Sequence, residues 1–176
     1  MQLHRGNLFL VGLPGAGKTT LGRTLARRLD KTFVDADAEL EARSGVTIAT
    51  IFEIEGEDAF RDREEAVLAS LAERTGVVVA TGGGVVIREA NRRCLKANGT
   101  VLYVHAEPRT VWERTRRSVH RPLLNTPDRL GRLTELYAQR DPLYREVADI
   151  VVESNRGAIS RVVERLAACN RNEAKA

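Results

Sequence analysis

The chain is short of cysteine, of aromatic residues and of long apolar runs, and each shortage closes off a class of protein. Its two cysteines, Cys94 and Cys169, stand far apart and lack metal-ligand spacing. That excludes a disulfide scaffold and a cysteine-based zinc site, and a reduced, cytoplasmic protein is the expectation. No stretch approaches the length of a membrane span, so no membrane partner is expected. The first apolar run is brief and enters a glycine-rich segment at once, so a first strand is expected there rather than a signal peptide. With aromatic residues at only 5%, the core must rest on Val, Leu, Ile and Ala. The same shortage argues against stacking on single-stranded nucleic acid. The 28 basic residues against 24 acidic ones leave +4, a mildly basic balance that fits an anionic substrate as well as a nucleic acid. There is no internal repeat and no low-complexity linker, so residues 1–176 are expected to form one domain with one core.

What the chain does have is Gly12-Leu13-Pro14-Gly15-Ala16-Gly17-Lys18-Thr19, a complete phosphate-binding loop. Leu8 to Val11 precede it as an apolar strand, and Leu21, Leu25 and Leu29 follow on one helical face. A strand that turns into a helix through glycines exposes backbone N–H groups that have no partner within the helix, and these attract phosphate. Gly15, Ala16, Gly17, Lys18, Thr19 and Thr20 are therefore expected to bind ATP. Lys18 is assigned to the β- and γ-phosphates and the Thr19 hydroxyl to Mg2+.

Further along, strands and helices alternate. Strands are expected at Leu8–Val11, Thr32–Asp35, Val77–Ala80, Thr100–His105 and Ile150–Val152. Helices are expected at Gly17–Leu29, Asp37–Arg43, a short piece capped by Thr47, Glu57–Glu73, Arg88–Ala97, Glu107–Arg117, Asp128–Gln139 and around Ile159–Leu166. This order predicts an α/β fold with three layers, α/β/α, around a five-stranded parallel sheet. Ligands in such sheets bind at the carboxyl ends of the strands. Those ends fall at Gly12, Asp35, Gly82 and about Ala106.

Several residues near these ends could carry chemistry. Asp35 and Asp37, read as one strand at i, i+2, would share a face. One could serve a metal shell and the other an accepting hydroxyl, or Asp37 could merely cap the next helix. Gly82-Gly83-Gly84 could be simple flexibility, or could permit close backbone approach to a ligand. Glu64 falls on the apolar side of its helix, four residues after Phe60, with Arg61 one turn back. Either it orients Arg61 into the site or the two form a surface pair. Arg109, Arg114, Arg116, Arg117 and Arg121 lead into a proline-bounded loop that could close as a lid, with Arg121 meeting transition-state charge.

In this order, the phosphate loop, Asp35-Ala36-Asp37, Phe60-Arg61-Asp62-Arg63-Glu64, Gly82-Gly83-Gly84, Arg121-Pro122-Leu123-Leu124 and Arg140-Asp141-Pro142-Leu143-Tyr144 resemble the shikimate kinase family. The resemblance spans about Asn7 to Leu166 and implies the P-loop NTPase fold of the nucleoside monophosphate kinase type, usually monomeric, with a mobile lid at about 114–126 and a substrate-binding helical region at about 37–66. It implies transfer of the γ-phosphoryl group of ATP to the 3-hydroxyl of shikimate, in aromatic amino-acid biosynthesis. It assigns Arg61 and Arg140 to the shikimate carboxylate, and Asp37 and Gly83 to its hydroxyls. Asp37, Lys18 and Arg121 are the implied catalytic set, and Thr19 and Asp35 the Mg2+ ligands. Arg114 is implied to stack on adenine, and Arg156 to join the ATP site. Asp37 could be a true base or an aligner. One departure stands out: Ser154-Asn155-Arg156-Gly157 lacks the proline that many members place after the last strand. Another small-molecule kinase of this architecture, such as a gluconate kinase, and a nucleotide-binding regulatory module are the alternatives.

Overall fold

A computed structural model describes residues 6–116 and 127–173. Thirteen elements alternate through it. They are β1 (Asn7–Val11), α1 (Lys18–Leu29), β2 (Thr32–Asp35), α2 (Ala36–Ser44), α3 (Ile48–Ile54), α4 (Gly56–Ala72), β3 (Val77–Ala80), α5 (Glu89–Asn98), β4 (Gly99–His105), α6 (Pro108–Thr115), α7 (Arg129–Val147), β5 (Ile150–Glu153) and α8 (Arg156–Glu173).

The five strands form one parallel sheet in the order β2-β3-β1-β4-β5. β1 lies at its centre, with Leu8 opposite Val78 of β3 on one side and Thr100 of β4 on the other. Every residue of β1, β3 and β4 is buried, which is why these strands read as unbroken apolar runs and not as alternating ones. The edge strands β2 and β5 are partly exposed and alternate more. Asn7 is the polar exception in β1. Its Nδ2 donates to the carbonyls of Ala72 and Arg74, and its Oδ1 accepts from the Val77 N–H, so the chain entering β3 is pinned to the start of β1.

The chain leaves β1 for one side of the sheet and β3 for the other. The loops after these two strands therefore border the crevice where strand order reverses, which is where ligands bind in open α/β sheets. The phosphate loop and the run 82–84 are those two loops.

Three element boundaries differ from expectation for physical reasons. Asp37 is not on a strand face. β2 ends at Asp35, whose carboxylate caps α2 by accepting from the Asp37 and Ala38 N–H groups, so Asp37 belongs to the first helical turn. The helix expected to stop at Gln139 runs on to Val147 with Pro142 inside it. Proline removes one helical N–H, and the carbonyl that loses its donor is that of exposed Ala138, where water can serve it. Arg140 and Tyr144 consequently sit within α7, one turn apart, and not in a loop. The α6 helix ends at Thr115, before Arg117.

Candidate active site

The phosphate loop is built by one backbone requirement and one side chain folded back on it. Gly17 caps α1 at φ 101, in the left-handed region open to glycine, and so turns the chain from loop to helix. Lys18 is buried, and its Nζ donates to the Gly12 and Leu13 carbonyls at 2.7 and 2.9 Å. The ammonium thus lies across the loop that the N–H groups of Gly15, Ala16 and Gly17 belong to. Thr19 is the second residue of α1, and its hydroxyl donates to Asp35 Oδ2 at 3.2 Å. Asp35 therefore holds Thr19 with one oxygen and the start of α2 with the other, which joins the ends of β1 and β2 at the pair expected to hold Mg2+. Thr20, the next residue, is exposed.

Beside this loop lies a cluster of charges under the crevice. Arg61 and Glu64 are both buried on α4, and Arg61 Nη1 donates to Glu64 Oε2 at 2.6 Å. Arg61 also donates to Glu57 through Nε and Nη2. The Glu64 position on the apolar stripe thus marks a buried ion pair and not a surface one. Burial works against the Arg61 charge, but Glu64 and Glu57 outweigh it and hold the guanidinium pKa above its ordinary value. Burial pushes the Glu64 carboxyl up, and Arg61 opposes it.

Arg140 is buried, and its Nε and Nη1 have no hydrogen-bond partner; nor does Glu64 Oε1. A buried guanidinium with two donors left over is costly unless an anion arrives to accept from them. Among the described residues this is the strongest sign of an anionic ligand at the crevice floor.

Asp37 opens onto the same crevice but is crowded by protein. Desolvation raises its pKa, the neighbouring Asp35 charge raises it further, and Lys18 and Arg61 pull it down.

The three glycines explain how these groups come so close. None of them needs an unusual backbone angle. A Cβ on Gly82 would lie 2.8 Å from Glu64 Oε1 and 2.9 Å from Asp37 Oδ1, and one on Gly84 would overlap the Arg61 guanidinium. Gly82 and Gly84 therefore give room to the site's own side chains. Gly83 is half-buried between them.

On the far side of the loop, Arg114 of α6 donates through Nη1 to Ser154 Oγ at 2.7 Å and through Nη2 to the Ser154 carbonyl. The Ser154 hydroxyl in turn donates to the Ala16 carbonyl. In the sequence the one signal for Ser154 is its place just after the end of β5, where ligands in such sheets bind. The other arginines of that stretch are dispersed: Arg109 is exposed beside Glu113, and Arg116 lies over the Trp112 ring. Arg121, most of the expected lid at 114–126 and the Arg156 side chain lie outside the described residues. Lys18, Thr19, Asp35, Asp37, Arg61, Gly83 and Arg140 are brought to one crevice.

A family model described as shikimate kinase matches residues 14–170. The chain is 57% identical over 157 residues to a shikimate kinase of Burkholderia lata, covering 89% of this chain and 85% of that protein. Among solved structures, a shikimate kinase from Acinetobacter baumannii in complex with shikimate is similar at TM-score 0.87 and 44% identity, over 93% of this chain and 91% of that one. A gluconokinase from Sinorhizobium meliloti, at 17% identity, TM-score 0.58 and coverage of 99% and 96%, shares the fold alone.

Proposed function

Since the chain belongs to the shikimate kinase family, ATP-dependent phosphotransferases, we propose that Arg140 and Arg61 hold the shikimate carboxylate while Asp37 and the Gly83 backbone hold its hydroxyls. The single observation that carries this reading is the buried Arg140 guanidinium with two unused donors. Guanidinium groups suit a carboxylate, and Glu64 and Glu57 already fix Arg61 in place. The acceptor hydroxyl then faces Asp37, which takes or aligns its proton, and the γ-phosphoryl group of ATP lies against Lys18 and the loop N–H groups. Arg121 is assigned to the charge that develops on transfer.

Thr19 and Asp35 fit Mg2+. A hydroxyl and one carboxylate, 3.2 Å apart, leave the remaining positions to phosphate oxygens and water, as this ion prefers. No group of three or more His, Cys, Asp or Glu that could hold a metal occurs among the described residues. Such a sparse protein contribution suits an ion that arrives with its nucleotide. When bound, Mg2+ supplies charge neutralisation at the phosphates.

The test is ADP release with Mg-ATP and one acceptor at a time: shikimate, gluconate, a nucleoside monophosphate, and water. Turnover with shikimate alone is expected. Turnover with a different acceptor overturns the carboxylate clamp, and ATP binding without turnover favours a regulatory module.

A further inference from the structure

Tyr144 is fully buried in α7, one turn after Arg140, and has no part in the reaction as read so far. Its hydroxyl donates to the Gly83 carbonyl. Burial raises the pKa of this phenol, and the nearby Arg140 charge opposes it. One oxygen therefore bonds the central glycine of the run and lies in the field of the residue with the unused donors.

The position of Gly83 is fixed from both sides. The peptide before it is set by the Gly82 carbonyl, which accepts from the Val85 N–H at 3.3 Å. The peptide after it is set by Tyr144. In a trans peptide the C=O and the next N–H point in opposite directions. Holding the Gly83 carbonyl thus dictates where the Gly84 N–H points, and the two restraints together settle how the Gly83 backbone faces the crevice. The rest of the loop is clamped in the same sense: Asn91 Nδ2 donates to the Val85 carbonyl, and Arg92 Nη1 to those of Val86 and Ile87.

The phenol is itself rigid. Its ring packs on Tyr103 at 5.0 Å between centroids, and the Tyr103 hydroxyl donates to Asp141 Oδ1 of α7 at 2.8 Å. Burial pushes the Tyr144 hydroxyl well above the ordinary phenol range, so it stays protonated and stays a donor.

We propose that Tyr144 is a positioning residue for the acceptor: its hydroxyl couples the Arg140 guanidinium to the Gly83 backbone, so that the carboxylate clamp and the hydroxyl contact are held in one fixed relation. The inference rests on the acceptor reading above. It concerns alignment and predicts a loss confined to one substrate. An oxygen that only filled the core would, when removed, affect ATP and shikimate alike.

The experiment is steady-state kinetics of Tyr144→Phe, Arg140→Lys and the double variant, with KM measured separately for shikimate and for ATP. Tyr144→Phe is expected to raise KM for shikimate about tenfold, the upper end for one lost hydrogen bond, with KM for ATP unchanged. In the double variant the two effects should be less than additive, since both act through one contact. Equal losses for both substrates, no change in KM for shikimate, or full additivity each overturn the proposal. If Arg140→Lys has no effect on shikimate, the acceptor reading fails instead, which separates the two. Should Tyr144→Phe not fold, 4-fluorophenylalanine at 144 fills the volume of the hydroxyl without its proton, and an unchanged KM for shikimate in that variant overturns the proposal.

Discussion

In the acceptor reading proposed above, Asp37 is a carboxylate that would serve catalysis at the expense of stability. Its pKa is raised, chiefly by desolvation and then by Asp35, so it binds a proton more tightly in the folded chain than in the unfolded one. Stability therefore falls as pH rises from the ordinary aspartate range through the raised value, and above that it stays lower by a constant amount. Asp37→Asn removes this cost. At neutral pH the variant is expected to melt at the same temperature or higher, while kcat falls about 100-fold or more. Calorimetry and turnover on one preparation check both halves. In the parent protein the acid limb of kcat/KM for shikimate should lie above the ordinary aspartate range. Much of this residue was legible in sequence: two aspartates at a strand end beside a phosphate loop limit the choices. That Asp35 caps the helix and Asp37 does not could not be read, because it depends on where β2 releases the chain.

At the scale of elements, Tyr144 of α7 holds the loop after β3, Arg114 of α6 holds the loop after β5, and Ser154 ties that loop to the one after β1. Gly84→Ala would drive a methyl group into the Arg61 guanidinium. It is expected to raise KM for shikimate by at least tenfold and to leave KM for ATP near its parent value, as separate titrations of the two substrates would show. Ser154→Ala should do the reverse. Its hydroxyl holds the Ala16 carbonyl and receives Arg114, so its loss frees the phosphate loop and the arginine together. KM for ATP is expected to rise about fivefold to tenfold, with KM for shikimate little changed. The glycine run and the phosphate loop stood out in sequence because glycine is rarely clustered without a backbone or packing reason. Ser154 did not, and Tyr144 was legible only as part of a motif and not by its partner, since a serine after a strand and a tyrosine near a proline are ordinary until the fold places them.

Across the whole molecule, the sheet is a rigid floor and the site lies at one rim of it. Leu102 is fully buried in β4, away from the charged cluster. Leu102→Ala is expected to cost about 2–5 kcal/mol of stability, read as a lower urea midpoint, while both KM values stay put well below the melting temperature. A parallel change in KM would mean that the crevice geometry depends on core packing more than its hydrogen bonds indicate. Sequence by itself determined the fold class, the phosphate loop and most of the charged groups, because apolar periodicity and glycine spacing are local properties of the chain. Only the tertiary structure decided that Arg61 and Glu64 are a buried pair, that α7 continues through Pro142, and that Arg140 keeps two donors unused. Burial and hydrogen-bond partnership are set by what packs across the sheet, and no window of neighbouring residues contains that information.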